Sequence, residues 1–280
     1  MRDQPAHRPA PWFSASKEEL SQLRGVCLDI DETLSTRGKL TAEAFAALWS
    51  LKDAGFAVIP ITGRPAGWCD HFARFWPVDA VIGENGAFSF FMQQGVRRGI
   101  VTPGANPDGP RGNGRLAALA AAIQGRFPHV QWASDQAYRE FDLAIDVCED
   151  VPPWPREDIE ELLKLCRTAG AQAKLSSVHV NIWFGFFDKR KGLDHWLASG
   201  APGLADDVIG RGGPLRPEQL LFIGDSPNDE PMFASFGFSV GVANLTEYLD
   251  RLQSPPRWLT VLESGAGFAE MAVRLVSLTR

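Results

Sequence analysis

Three short apolar runs, each followed by a segment of different periodicity, constrain the fold of this chain more than any other feature. "GVCLDI" at 25–30, "FAVIPIT" at 56–62 and "DAVIGENG" at 79–86 are near-continuous in apolar residues rather than alternating. Strands of that kind are buried on both faces, as in a parallel sheet covered by helices on each side. Between the first two runs, "TAEAFAALWSLKDAG" carries apolar residues at helical spacing, with Thr41 as N-cap and Gly55 as stop. A second helix is expected at about 65–75. The rhythm returns from "KGLDHWLAS" onward: a helix, "QLLFIGD", a helix, "GFSVGV", a helix, "RWLTVL" and a final helix. The expected class is α/β, with a Rossmann-like parallel sheet.

The pattern breaks between residues 88 and 186. "FSFFMQQGVRRGIV" reads as a hairpin and "TPGANPDGPRGNG" as a loop. After these come a helix at about 115–126, a strand near "HVQWA", another in "FDLAIDV", a helix at about 156–169, and strands in "AQAKL" and "SVHVNIWF". Short strands grouped with two helices predict an α+β domain inserted into the first. The expected division is a loose Pro-rich arm over 1–20 ending in the helical piece "SKEEL", a core from 21–87 and 187–280, and an inserted cap over 88–186. The crevice between core and cap, at the carboxyl ends of the strands, is the natural ligand site.

Charge narrows the partners. Lys and Arg number 28 against 34 Asp and Glu, a formal net charge of −6, which argues against nucleic acid or an anionic membrane as the main partner, since both ask for a basic face. No apolar run approaches the roughly 18 residues of a membrane span, and the N-terminus lacks the apolar segment of a signal peptide. A cytoplasmic protein is expected. Cys27, Cys69, Cys148 and Cys166 form no Cys-x-x-Cys pair, which fits a reducing compartment and excludes a zinc knuckle. The sequence does not fix the oligomeric state.

Chemistry-bearing residues gather at the predicted strand ends. Asp29 and Asp31 alternate where the first strand stops, so strand geometry points both carboxylates to one side. They repel unless a proton or a cation lies between them. Magnesium suits an all-oxygen site with room for water. An EF-hand loop also opens with alternating acids, but its sixth position would be Leu34 instead of Gly and its twelfth Leu40 instead of Glu, which removes that reading. In "IPITGRP", Thr62 and Gly63 end a strand and Arg64 opens a helix, an arrangement that suits a phosphate oxygen and also an ordinary strand-to-helix turn. In "FDKRKGLDHW", Lys191 starts a helix and offers a fixed positive charge. "LLFIGDSPNDEPMF" sets Asp225, Asn228 and Asp229 just beyond an apolar strand, where acids would complete a metal site begun at Asp29.

In order and in strand-end context, these pieces resemble the four motifs of the haloacid dehalogenase-like (HAD) phosphohydrolase superfamily: Asp29-Ile30-Asp31-Glu32-Thr33, Thr62-Gly63-Arg64, Lys191-Gly192 and Gly224-Asp225-Ser226-Pro227-Asn228-Asp229. The insertion resembles the C2B-type α+β cap of subfamily IIB, the Cof-like branch that includes sucrose-phosphate, trehalose-phosphate and mannosylphosphoglycerate phosphatases and phosphomannomutase. "IGENGA" is similar to the same branch. The resemblance covers residues 24–280.

The resemblance implies a magnesium-dependent phosphatase acting on a small phosphorylated metabolite, a sugar phosphate. Asp29 would be the nucleophile and form an aspartyl-phosphate. Asp31 would be the general acid and base. Thr62, Gly63 and Lys191 would hold the transferring oxygens, with Lys189 the rival of Lys191. The metal ligands would be the Asp29 side chain, the Asp31 carbonyl and Asp225, supported by Asn228 and Asp229. Arg64, Glu84, Asn85, His179 and Asn181 are the candidate substrate contacts; a half-buried strand with polar residues turned outward would account for the last two equally well. Glu32 departs from the Gly found in many members and puts leaving-group preference in question. Two alternatives stand beside the phosphatase: a mutase of the phosphomannomutase type, and a sugar-phosphate sensor without turnover.

Overall fold

The structure, a computed structural model, describes residues 8–106, 114–205, 208 and 213–279. The three leading apolar runs form β2 (Gly25–Leu28), β5 (Ala57–Pro60) and β6 (Ala80–Gly83), every residue of which is buried. Strand alternation then assigns their side chains to two layers. Val26, Leu28 and Val58 pack on one face of the sheet against Leu48 and Leu51 of α2 (Ala42–Asp53) and Phe268 and Leu275 of α8 (Ser264–Thr279). Cys27 and Ile59 pack on the other against Leu193 and Trp196 of α6 (Lys189–Ala198) and Met232 and Phe233 of α7 (Glu230–Ser235). Thr41 caps α2 by accepting the Ala44 N–H, and Gly55 follows with φ of 79°.

The main sheet is parallel throughout, in the order β1 (Ala10–Pro11), β14 (Trp258–Leu259), β13 (Phe238–Gly241), β12 (Leu220–Gly224), β2, β5. β2 lies between β12 and β5, with Leu28 opposite both Ile223 and Pro60. This register brings the ends of the three strands together, and the residues after them share one edge. β6 extends the layer through a parallel Ile61–Ile82 bridge and then pairs antiparallel with β7 (Phe88–Gln93), which pairs with β8 (Val96–Val101). The expected hairpin is therefore present and joined to β6, where Phe88 and Phe90 pack under α3 (Ala66–Phe75). A short hairpin of β3 (Ser35–Thr36) and β4 (Lys39–Leu40) follows β2.

The inserted unit has its own antiparallel sheet, ordered β10 (Gln172–Leu175), β11 (His179–Trp183), β9 (Leu143–Asp146). Leu143, Ile145, Val180 and Ile182 face α4 (Gly114–Arg126) and α5 (Arg156–Thr168) in a separate core. The residues between them in sequence, including His179, Asn181 and Lys174, lie on the opposite face. "HVQWA" contributes only a single bridge, Trp132 to Ile145, and the segment after β13 is a 3-10 helix instead of an α-helix.

The expectation of a loose arm is corrected for the part described, residues 8–20. β1 adds an edge strand beside β14, and Trp12 is fully buried, its ring 5.5 Å from that of Trp258 in a T-shaped pair. α1 (Lys17–Leu20) is held by a capping box in which Ser16 and Glu19 accept each other's backbone N–H. Pro9 and Pro11 lie here, but an edge strand tolerates proline, and the buried Trp12 beside them packs into the core. Residues 1–7 lie outside the described part. Among the described residues no helix is long and apolar enough to cross a membrane.

Candidate active site

Asp29 follows β2 directly and is tied to the neighbouring strand by its N–H, which donates to the Ile223 carbonyl at 3.0 Å. Asp225 follows β12 directly, and Asp229 ends the 3-10 turn beyond it, its N–H donating to the Ser226 carbonyl at 3.0 Å. Carboxylate oxygens of Asp29, Asp225 and Asp229 lie within 4.8 Å of one another, and all three residues are buried. Lys189, at the start of α6, donates from Nζ to Asp29 Oδ1 at 2.8 Å and to Asp229 Oδ1 at 2.7 Å. The second oxygen of Asp229 accepts the Asp225 N–H at 3.2 Å, and Thr33 donates its hydroxyl to Asp225 at 3.0 Å.

One cation among three buried acids leaves the cluster short of positive charge. Burial pushes the Asp29 carboxyl up to about 7, Lys189 opposing and the charges of Asp229 and Asp31 adding to it. Burial likewise raises Asp225 well above the usual carboxylate range, with Asp29 and Asp229 next in effect. Burial works against the Lys189 ammonium, but the two carboxylates it touches outweigh that and hold it above its ordinary value. An all-oxygen cluster with excess negative charge fits a hard divalent cation such as magnesium.

The expectation that Lys191 supplies the fixed charge is corrected. Its side chain is exposed and donates to the Phe186 carbonyl, while Lys189 enters the cluster. Helix geometry is the reason: residues two apart point about 200° away from each other, and Asp188 caps the helix by accepting the Lys191 N–H. The turn Glu84-Asn85-Gly86 locks this placement, since a Cβ at Gly86, where φ is 103°, would collide with the Asp188 carbonyl.

Asp31 turns its carboxylate toward Arg64, which donates from Nε to both oxygens at 3.0 Å and from Nη2 at 2.7 Å. The same guanidinium reaches across to the cap, to Glu149 at 2.6 Å and Asp135 at 3.4 Å. Glu149 Oε2 lies 2.8 Å from His179 Nε2. This contact first, and Arg64 second, holds the Glu149 carboxyl down at about 2. Thr62 is fully buried, its Oγ1 accepting the Arg64 N–H at 3.0 Å.

Two of the expected substrate contacts are committed elsewhere. Glu84 is fully buried and accepts backbone N–H groups from Ala66, Glu140, Phe141 and Asp142. It is a clamp between core and cap, and His179 Nε2 lies 2.8 Å from Glu149, within pairing distance but out of line for a hydrogen bond. Asn181 donates to Asp142 at 3.1 Å and turns its Oδ1 toward Gly63, where a Cβ would lie 3.1 Å from it and 3.3 Å from Asn85 Nδ2. Asn85 stays available: it is buried, its φ is 56°, and its Nδ2 has no hydrogen-bond partner among the described residues. Glu32 accepts from the Gly38 N–H and the Ser264 hydroxyl, so the third acid of the motif fastens the β3–β4 hairpin and α8 instead of crowding the site.

A cavity of about 20 Å³ remains between core and cap, lined by Asn85, Lys174, Trp183, Asp188, Lys189, Asn228 and Pro231. Lys174, Asp135 and Glu149 are the site residues that sequence reasoning missed. Nothing local distinguishes them from surface charges; only docking of the cap brings them to the core.

Neither a protein-family model nor a curated protein matches the sequence. Solved structures do match in three dimensions. A haloacid dehalogenase-like hydrolase from Bacteroides thetaiotaomicron superposes with a TM-score of 0.61 at 15% identity, covering 90% of this chain and 99% of that one. The chain has the HAD fold with an inserted cap. The C-terminal domain of trehalose-6-phosphate phosphatase from C. albicans shares this HAD fold with a TM-score of 0.68 at 15% identity, over 98% of this chain and 99% of that one. The sucrose-phosphatase of Synechocystis, in complex with sucrose and phosphate, gives 0.58 at 16% identity over 90% and 98%.

Proposed function

We propose that this protein is a magnesium-dependent phosphatase that hydrolyses a small phosphorylated metabolite, a sugar phosphate, through an aspartyl-phosphate. The observation that carries the reading is the buried cluster of Asp29, Asp225 and Asp229 at one sheet edge, with Lys189 bridging two of its members. Trehalose-6-phosphate phosphatase and sucrose-phosphatase, which share the fold, support it.

Asp29, Asp225 and the Asp31 carbonyl would hold the magnesium ion, with Asn228 and Asp229 supporting. When bound, the ion offsets the repulsion between the carboxylates and an incoming phosphate. Asp29 attacks phosphorus, the bond from phosphorus to the ester oxygen breaks, and Asp31 gives that oxygen a proton. Water then cleaves the aspartyl-phosphate, passing a proton back to Asp31. Lys189, the Thr62 hydroxyl and the Gly63 N–H hold the phosphoryl oxygens, where charge is spread in the transition state. Arg64 occupies both oxygens of Asp31 in the closed arrangement, so its grip must loosen when Asp31 carries a proton.

The cavity has space for about one water molecule. Substrate therefore enters with the cap displaced, and closure excludes bulk water. We take the division as core 21–87 and 187–280 with the cap within 88–186, the β7–β8 hairpin remaining paired to β6. The four free cysteines suit a reducing, cytoplasmic setting.

The test is release of inorganic phosphate from a panel of sugar phosphates, with magnesium and with a chelator. Asp29→Asn is expected to remove turnover while circular dichroism stays unchanged. Wild-type rates in that variant would take the nucleophile role from Asp29. Interconversion of phosphate esters with no phosphate released would point to a mutase, and binding without either reaction to a sensor.

A further inference from the structure

The cap places one cation in the cavity that the phosphatase reading does not use. Lys174 is exposed on β10 and has no ion pair or hydrogen bond from its side chain among the described residues. Its register partner across the antiparallel pair is Asn181, and directly opposed residues project from the same face. Asn181 Oδ1 is aimed at Gly63, beside the Thr62 turn, so the face that carries Lys174 is the one turned to the reacting centre. Lys174 shares the cavity with Lys189, itself 2.8 Å from Asp29, and with Asn228.

Asn85 supplies the second, independent observation. It lines the same cavity, is 96% buried, and its Nδ2 has no partner. A buried amide donor left unpaired is unfavourable, and here it is kept in a left-handed backbone conformation as well. Lys189 is already neutralised by Asp29 and Asp229. Asp188, the acid in the lining, has its Oδ1 taken up by the Lys191 N–H. Asn228, whose Oδ1 accepts the Ser226 hydroxyl, belongs to the metal side of the cavity, so the unengaged donors left for a leaving group on the cap side are the Lys174 ammonium and the Asn85 amide N–H.

We propose that Lys174 and Asn85 form a subsite for a carboxylate on the alcohol portion of the phosphate ester, so that the substrate class is a phosphorylated acid, such as a sugar acid phosphate, and not a neutral sugar phosphate. The inference rests on the phosphatase reading of the Asp29 cluster. Two oxygens of a carboxylate match the two donors, and a charge-assisted bond to an ammonium is about twice as strong as one between neutral groups. Because Lys174 rides on the cap, this contact forms only as the cap closes, which ties closure to the presence of the acid group.

The experiment compares matched esters in the magnesium-loaded protein: 3-phosphoglycerate with glycerol 3-phosphate, and 6-phosphogluconate with glucose 6-phosphate, with p-nitrophenyl phosphate as an indifferent reporter. In the wild type, kcat/KM is expected to favour the carboxylated member of at least one pair tenfold or more. Lys174→Met should cut that preference at least tenfold, and Lys174→Glu should reverse it. Preference for the neutral members, or equal loss on both members in the Lys174 variants, overturns the subsite while p-nitrophenyl phosphate turnover leaves the phosphatase reading standing. Absence of phosphate release from every ester, the reporter included, sinks that reading and the subsite with it.

Discussion

Lys189 shows how much a single side chain can depend on helix phase. It is buried and held by two carboxylates, and in the proposed mechanism it sits where the charge of a transferring phosphoryl group would develop. Loss of one such preorganised donor costs about 10²–10³ in turnover, so Lys189→Met is expected to lower kcat by that factor. Lys191→Met, at the surface, should change it less than twofold. Steady-state kinetics on the two variants decides, and a larger defect at position 191 would return the role to that residue. Asp29, Asp31, Thr62, Asp225 and Asp229 were legible in the sequence because each follows an apolar strand, and strand ends in a parallel sheet share an edge. The choice between two lysines two positions apart was not, because it turns on which side of the first helical turn faces the sheet.

At the scale of elements, Arg64 opens the segment before α3 and bridges the core acid Asp31 to the cap acids Asp135 and Glu149. The second link is Glu84, whose carboxylate collects three N–H groups from residues 140–142. The strap through Glu149 has a pH signature. Its carboxyl is held at about 2 in the folded protein against 4.5 ordinarily, by His179 first and Arg64 next. A depressed carboxyl contributes stability above its unfolded value that is lost as pH falls through the folded one. The full shift corresponds to at most about 3 kcal/mol, and a side chain one-quarter exposed is screened to roughly 1–2 kcal/mol. Glu149→Gln should therefore destabilise by about that amount near pH 5, where the carboxylate is charged, with the gap shrinking as pH falls toward 2. Urea unfolding of both proteins across this range measures it, and a gap that stays constant down to pH 3 would assign the loss to packing instead of charge. The strands and helices of the cap were readable from their periodicity, but these links across to the core join residues about 60–85 positions apart, and no local pattern announces them.

For the whole molecule, the parallel sheet was legible in the alternation of buried runs and helices, whereas its order, β1-β14-β13-β12-β2-β5, is set by pairings distant in sequence and was not, nor was its edge. The edge was missed because Pro and polar residues conceal the one side chain that matters there. Trp12 brings the segment before α1 into the core, beside Trp258 and against the same cluster as Leu20 and Met271. Truncation of a buried aromatic costs about 3–5 kcal/mol, so Trp12→Ala should lower the free energy of unfolding by that amount. Trp12 Nε1, however, has no hydrogen-bond partner among the described residues, and an orphaned buried donor is itself a cost. Trp12→Phe keeps most of the apolar surface and removes that donor, so its loss should be well below that of the alanine variant. Denaturant midpoints of the two variants test the docking. Midpoints equal to wild type for Trp12→Ala would mean that the segment rests on the sheet edge without holding it, and the sheet would then end, in energetic terms, at β14.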